Sequence, residues 1–557
     1  MRRPLSIISL FVFGICSAVS HAESMTPADR ALIEQQQKAL LEQTQRQREA
    51  LQNSAVLPTE PGMQPVADDA LCYRIQQIKL QGVTVLSSSV QQTLTAPWAG
   101  QCMRMSDIQA LVRSVSQAYL QRGYITSQAW VPEQDISSGM LLIAVTEGRI
   151  ESISQQEKTS LTLGMAFPNA AGKVLNLRDL EQGLEQLNRL TSQPVTIDIQ
   201  PGSQSGYSRV VVVPAGNTLP LHVNLGADNS GSKATGMGQM SAQLTLDNPL
   251  QIADLWVLSA SRDNAFVQDR RSRSRSLSGS LSVPYGYWLF SYQSSWNDFH
   301  QDLPFPGSAW RYEGMAQSHR LGAYRTLLRD GQQKLALDMS ITRRHTENRI
   351  AGQRLSNSSA VVSSVALGPH YSRSAGNVYF TINPSISQGL STLGALRDDV
   401  RYPDAPRAQF RKVSLNASAF YSFTPSLYYL TTAYGQTSPD NLYASERVTA
   451  GGLYSVRGFK EQLLSGNRGA YWRNEVNWQL ASFPVVGEVS LTGALDGGWV
   501  SGQGGLVDGG KVVGSALGLT LNGRWFTQSL MMGKPLAFPG ELRPDKWVGY
   551  WQVTVTL

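Results

Sequence analysis

From about residue 220 to the last position the chain alternates between apolar and polar side chains. Met240, Ala242, Leu244 and Leu246 are separated by Ser241, Gln243 and Thr245, and Trp288, Phe290 and Tyr292 alternate with Ser291 and Gln293. Leu277, Leu281 and Val283 interleave with Ser278, Ser280 and Ser282, and Trp551, Val553, Val555 and Leu557 with Gln552, Thr554 and Thr556. An apolar face with aromatic ends, set against a face of Ser, Thr, Gln and Asn, is the lipid-out, polar-in pattern of a membrane barrel. No segment after the leader has the run of about 18 uncharged apolar residues that a helical span needs. A closed barrel is the other structure that satisfies its backbone in lipid. The alternative is a soluble β-sandwich, for which no separate second core is visible. Residues 218–557, at roughly 20 per strand and connection, predict about sixteen antiparallel strands. Asp247-Asn248-Pro249 and Pro284-Tyr285-Gly286 read as periplasmic turns, and 261–275 and 343–358 as extracellular loops.

The start of the chain sets the compartment. Arg2 and Arg3 precede an apolar stretch from Leu5 to Val19, and Ser20-His21-Ala22 is a small-x-small cleavage site, so residues 1–22 read as a signal peptide and not as a retained anchor. Cys16 leaves with it. Cys72 and Cys102 remain, an even pair in an exported chain, which favours a disulfide. Closing a loop of that length contributes roughly 3–4 kcal/mol in the chain-entropy model. Charged residues make up only 16% and the net charge is +7. That balance suits an anionic membrane surface and does not single out nucleic acid.

Residues 23–52 carry one polar helix. Thr26 is a good N-cap, Pro27 fits the first helical position and Asp29 completes a capping-box-like pattern. Leu32, Ile33, Leu40, Leu41 and Leu51 form only a thin apolar stripe on a surface made mostly polar by Gln35, Gln36, Gln37, Gln43, Gln45 and Gln47, so this is neither a core helix nor a membrane span. Two readings stay open: a solvated helix, or one lying in a polar lumen, which roughly 40 Å of helix would thread. Residues 53–70, with Pro58, Pro61, Gly62 and Pro65, read as a linker.

Two units of the order strand-helix-helix-strand-strand follow, at 71–147 and 148–217, an internal repeat. In the first, 74–83, 125–131 and 140–146 are predicted strands, and 106–122 an amphipathic helix with Ile108, Leu111, Val115 and Tyr119 on its apolar face. In the second, 177–190 is the corresponding helix.

No HExxH, GxSxG or Walker pattern occurs, the six histidines are scattered, and neither a catalytic nor a metal nor a cofactor site is expected. The glycine-rich run 502–510 precedes no helix and reads as a barrel loop. Arg270, Arg271, Arg273 and Arg275 read as a solvated loop, or as a contact for lipopolysaccharide phosphates or an acidic chain. Arg457 is more informative. Parity puts Asp496 on the lumenal face of its strand and Arg473 and Glu475 on that of theirs. Gly451, Gly452 and Gly458 let the loop carrying Arg457 fold tightly and dip inward. A charge-assisted pair there contributes roughly 1.5–3 kcal/mol; the alternative is a solvated arginine in an external loop.

The order of these segments, together with Arg122-Gly123-Tyr124-Ile125-Thr126-Ser127, Val131-Pro132-Glu133-Gln134-Asp135, Glu147-Gly148-Arg149-Ile150-Glu151, the 175–183 helix region, Val456-Arg457-Gly458-Phe459 and Asp496-x-Gly498, resembles the TpsB outer-membrane transporters of two-partner secretion, the ShlB/FhaC/HecB haemolysin secretion/activation family. The polar opening helix and the paired cysteines look most like its CdiB subgroup. The resemblance implies a periplasmic POTRA tandem and an outer-membrane barrel. It implies that the 23–52 helix plugs the pore and that Arg457, with Gly458 and Phe459, locks an inward loop to Asp496 beside Glu475. The client it implies is a large β-helical TpsA- or CdiA-like exoprotein, captured by the POTRA units and exported unfolded without ATP through a monomeric, lipid-embedded pore. Arg178, Asp179 and Glu181, expected to be exposed on the second POTRA helix, are candidates for client contact. A barrel insertase of the same superfamily and a passive porin are the rivals. Ala494 stands where the family has Phe, and Leu557 replaces the usual terminal aromatic.

Overall fold

The structure is a computed structural model that describes residues 25–52 and 71–557, apart from 217, 264–271, 307, 400, 403, 485–486 and 503–508. The leader, the linker, Arg270, Arg271 and most of the 502–510 run lie outside the described residues.

Sixteen antiparallel strands close into a barrel. In chain order they are β1 Leu221–Asp228, β2 Gln239–Asp247, β3 Leu255–Asp263, β4 Ser272–Tyr285, β5 Trp288–Phe305, β6 Ser308–Arg329, β7 Gln333–Ile350 and β8 Ala360–Ala375. Then come β9 Val378–Leu390, β10 Arg411–Thr424, β11 Leu427–Thr437, β12 Gly469–Phe483, β13 Gly487–Val500, β14 Gly510–Asn522, β15 Phe526–Ala537 and β16 Val548–Thr556. A two-residue strand, Gln353–Arg354, extends β7 locally. The predicted faces hold: Leu277, Phe290, Trp472, Trp478, Leu495 and Trp499 are exposed on the outer wall, where lipid lies. β16 pairs back onto β1, with Gln552 opposite Asp228 and Thr556 opposite Asn224. Leu557 then exchanges both main-chain bonds with Val223, at 2.8 and 3.2 Å, so the terminal leucine continues the ladder without an aromatic ring.

One expectation fails. Residues 343–350 are not loop but the upper part of β7, paired in register with β6 up to Tyr312–Ile350. A strand crosses the membrane in about 10 residues, and β6 has 22. The surplus stands in water, where both faces are polar and alternation vanishes. Likewise 261–263 and 272–275 belong to β3 and β4.

Each periplasmic unit packs helices on a three-stranded sheet. In the first, Gln77–Gln81 runs parallel to Met140–Thr146, which pairs antiparallel with Gln128–Trp130. Helix α1 (Pro27–Gln52) precedes this unit; α2 (Ser88–Thr95) and α3 (Met105–Gln121) belong to it. α3 buries Ile108, Leu111, Val115, Ala118 and Tyr119, the predicted stripe, against Leu141 and Ile143. Cys72 and Cys102 form the disulfide, Cα atoms 5.4 Å apart, across a sequence separation of 30. Glu147, at the junction of the units, accepts from Thr84 N at 2.7 Å, Val85 N at 3.1 Å and the Tyr119 hydroxyl at 2.8 Å. Burial works against its charge, but these donors outweigh it and hold the carboxyl below the usual range. The second unit holds α4 (Leu161–Ala166) and α5 (Leu177–Leu187) on strands ordered Arg149–Ser154, Tyr207–Pro214, Val195–Pro201.

A candidate lumenal lock beside a helix in the pore

Between β11 and β12 the chain turns into the barrel. Val448–Ala450 and Leu464–Gly466 pair as a short hairpin, and the 451–463 segment between them lies against the inner wall. Its turn is built by glycine: Gly451 and Gly452 have φ of +132° and +108°, and Ser455 Oγ ties back to the Gly451 N–H and carbonyl at 3.0 and 2.9 Å. Val456 and Phe459 are fully buried in a cluster with Ala450, Leu464, Tyr471, Val500 and Val512.

Between those two apolar anchors Arg457 is only 1% exposed. Its Nε and Nη2 donate to the two Asp496 carboxylate oxygens, each at 2.7 Å, and its backbone N–H donates to Asp496 at 3.0 Å. Nη1 donates to Glu475 at 2.6 Å, and Nη2 also reaches the Asn474 carbonyl at 3.4 Å. The planar guanidinium thus faces a two-pronged carboxylate and a second anion, the strongest geometry open to an arginine. Asp496 also accepts from Asn474 N at 3.1 Å, and Arg473 donates to the Leu453 carbonyl at 2.6 Å, stitching the loop to β12. The residues that parity placed in the lumen are together there. Ala494, on the same face of β13, sits in register with Glu475 and Ala516, and the bidentate pair forms beside this smaller side chain.

The wall contributes something that strand parity alone does not reveal. A Cβ at Gly514 of β14 would lie 1.9 Å from the Arg457 carbonyl oxygen, and one at Gly458 (φ +100°) 2.7 Å from the Lys534 carbonyl oxygen of β15. Loop backbone and wall backbone touch where side chains would hold them apart.

The polar helix α1 lies in the lumen, which decides between the two readings of its sequence. Thr26 Oγ1 accepts from Asp29 N at 3.1 Å and donates to its carboxylate at 2.7 Å, the expected cap. Gln37 donates to Thr449 Oγ1 at 3.0 Å, Gln43 pairs with His370 of β8 at 2.9 Å, and Asn383 of β9 donates to Gln47 at 3.1 Å. Arg30 donates to the Lys460 carbonyl of the inward loop, and Arg48 lies over the Phe420 ring at 4.5 Å. The glutamines that make α1 look like a solvent helix are its contacts with the wall.

Arg178, Asp179 and Glu181 are not on an open face. Arg178 and Glu181 are 8% and 5% exposed and pair at 2.6 Å. Glu181 also meets Arg329, at the end of β6, at 3.4 Å, and Asp179 accepts from the Tyr287 hydroxyl. The polar face of α5 docks on the periplasmic turns of the barrel, whose charged and hydroxyl groups replace solvent. Nearby, Ser192 N donates to Asp247 at 2.7 Å and Gly286 N to the Met165 carbonyl at 2.8 Å, so both predicted turns touch the second unit.

The profile of the haemolysin secretion/activation protein ShlB/FhaC/HecB family matches residues 206–521, and POTRA profiles match 73–148 (ShlB-type) and 149–201. The chain belongs to that family. It is 40% identical over 545 residues to the outer membrane transporter CdiB of Escherichia coli, covering 97% of this chain and 92% of that one. It is 40% identical over 553 residues to the CdiB of Dickeya dadantii strain 3937, covering 98% of each. The solved structure of CdiB from Escherichia coli superposes with a TM-score of 0.92 at 39% identity, over 96% of this chain and 100% of that one. The chain is therefore an outer-membrane transporter of the two-partner secretion type, with its POTRA units in the periplasm.

Proposed function

We propose that the chain exports one large β-helical exoprotein, of the contact-dependent growth-inhibition toxin class, unfolded and without ATP, and that the closed arrangement seen here is its resting state. The observation that carries this is the filling of the lumen: a 26-residue helix with a polar surface occupies the channel and is tied to it mainly by single side-chain bonds. Such a segment can be exchanged for another polar, extended chain. The POTRA sheets offer strand edges on which an exoprotein's N-terminal region adds a strand. Arg178, Asp179 and Glu181 are engaged with the barrel, so the edges are the better client surface. Arg457, Asp496 and Glu475 hold the inward loop to the wall while the client passes. Folding of β-helical rungs outside disfavours return and gives direction. The barrel acts as a single-chain pore, its outer wall in contact with lipid and lipopolysaccharide. The kinship with transporters named CdiB supports the toxin class over other exoproteins.

Deleting the gene and assaying medium and cell surface tests the export reading: the neighbouring large exoprotein should disappear from both, and its continued appearance outside would overturn it. Removing residues 25–52 should raise single-channel conductance in planar bilayers; an unchanged conductance would oppose the plug.

A further inference from the structure

Glu185 projects from α5 of the second POTRA unit into the periplasmic mouth of the barrel and joins two cations there. It accepts from Lys334 of β7 at 2.6 Å and pairs with Arg329 of β6. Both cations are nearly buried, at 7% and 3% of side-chain surface, so each depends on fixed partners. Each also leads to the plug. The other side of the Arg329 guanidinium faces the carbonyl of Ala50 at 3.5 Å. That carbonyl belongs to the last turn of α1, which has no basic residue of its own, so the barrel supplies the cation that the helix dipole favours at this end. The Lys334 ammonium lies 5.6 Å from the Tyr324 ring centre, Tyr324 stacks obliquely on His370 at 5.8 Å, and His370 holds Gln43 of the plug at 2.9 Å. Glu185 thus joins Arg329, which it shares with Glu181 and Gln182 and which reaches the last turn of α1, to Lys334, which leads through Tyr324 and His370 to the middle of α1.

We propose that Glu185 is a positioning residue that couples the second POTRA unit to the plug: while α5 is docked, Glu185 helps hold Arg329 at the last turn of α1 and Lys334 against the Tyr324–His370 pair that grips Gln43, and displacement of α5 by a bound exoprotein segment loosens both routes together. This rests on the reading that α1 leaves the lumen during export. The coupling element has two states, docked and undocked, and both the client and the plug bias it.

Single-channel recording of the purified full chain tests it. Glu185→Gln keeps the side-chain shape and removes the charge, and it should raise the occupancy of the open state about tenfold, the order expected for loss of a charge-assisted contact. Glu185→Asp should restore part of the closure. In a chain lacking residues 25–52, Glu185→Gln should change nothing further. If wild type and Glu185→Gln open alike, or if Glu185→Gln alters conductance equally without the helix, the coupling is overturned. If removal of 25–52 itself leaves conductance unchanged, the plug reading fails first. Should Glu185→Gln not assemble, Lys334→Gln breaks the same joint from the barrel side, and unaltered opening there overturns the proposal equally.

Discussion

Two segments share the lumen, and they are held in opposite ways. The 451–463 loop inserts two fully buried apolar side chains, Val456 and Phe459, on either side of an arginine that is satisfied on every nitrogen. Its backbone fits a wall cleared of side chains. The helix α1 buries Leu32, Ile33 and Leu51, but only Ala28 joins a buried apolar cluster, with Phe299 and Ala316. Its remaining grip is amide side chains reaching neutral partners, together with Arg30, which pairs with Glu461 of the loop at 3.7 Å, and Arg48 over the Phe420 ring. Breaking the loop's contacts strands a buried charge, whereas breaking the helix's contacts returns glutamines to a polar channel at little cost. The loop is a fixture of the barrel, and the helix is the part that the proposed cycle can spare.

The largest effect should come from Asp496→Ala, which leaves Arg457 buried without its principal partner. We expect about 3–5 kcal/mol of lost barrel stability, measured as a lower urea midpoint of the folded, heat-modifiable form, and loss of secretion. An unchanged midpoint would put the two segments on an equal footing. Gly514→Ala should cost about 1–3 kcal/mol by pushing the Arg457 carbonyl off the wall, with the same readout and no charge removed. Gln37→Ala should weaken only the plug, by about 1 kcal/mol. It should be visible as more frequent channel opening at an unaltered urea midpoint, and a midpoint that falls with it would break the distinction.

The smallest expected effect is that of pH on the joint at Glu185. Burial raises its pKa, but Lys334 and Arg329 outweigh burial and hold it at about 2, against 4.5 for a free glutamate. A depressed folded pKa means a contribution that is fully present above the unfolded value and fades as pH falls through the folded one. The difference in opening between wild type and Glu185→Gln should therefore stay flat from pH 8 to about 5 and shrink only toward pH 2. A difference that collapses near pH 6 would assign the coupling to another group.

The barrel was legible because lipid on one side and water on the other write a period of two into every crossing strand. The α3 stripe was legible by the same logic at helical spacing, and the disulfide from the cysteine count of an exported chain. Lumenal parity was enough to put Asp496 and Glu475 within reach of Arg457. What stayed hidden lies where a polar surface meets another polar surface. The glutamines of α1 suit water and a polar lumen equally, so composition could not choose between them. The charged face of α5 reads as a solvent face until the barrel turns are placed against it, which is why Arg178 and Glu181 were expected in the open and Glu185 and Arg329 passed unremarked. The upper part of β7 lost its signature because, beyond the membrane, neither face meets lipid. Gly514 carried no signal of its own, since a strand glycine does not announce which backbone approaches it.

The closing seam has a consequence for assembly. Trp551 of β16 bonds to Asn229, just beyond β1, across 322 residues of chain. Every other neighbouring pair in the barrel is also adjacent in sequence and can zip as a hairpin as soon as its second strand is available. β1 alone must wait through fifteen further strands with one hydrogen-bonding edge open. The barrel therefore has a growing end and a waiting end, and the interval between them is when the chain is most exposed to wrong partners.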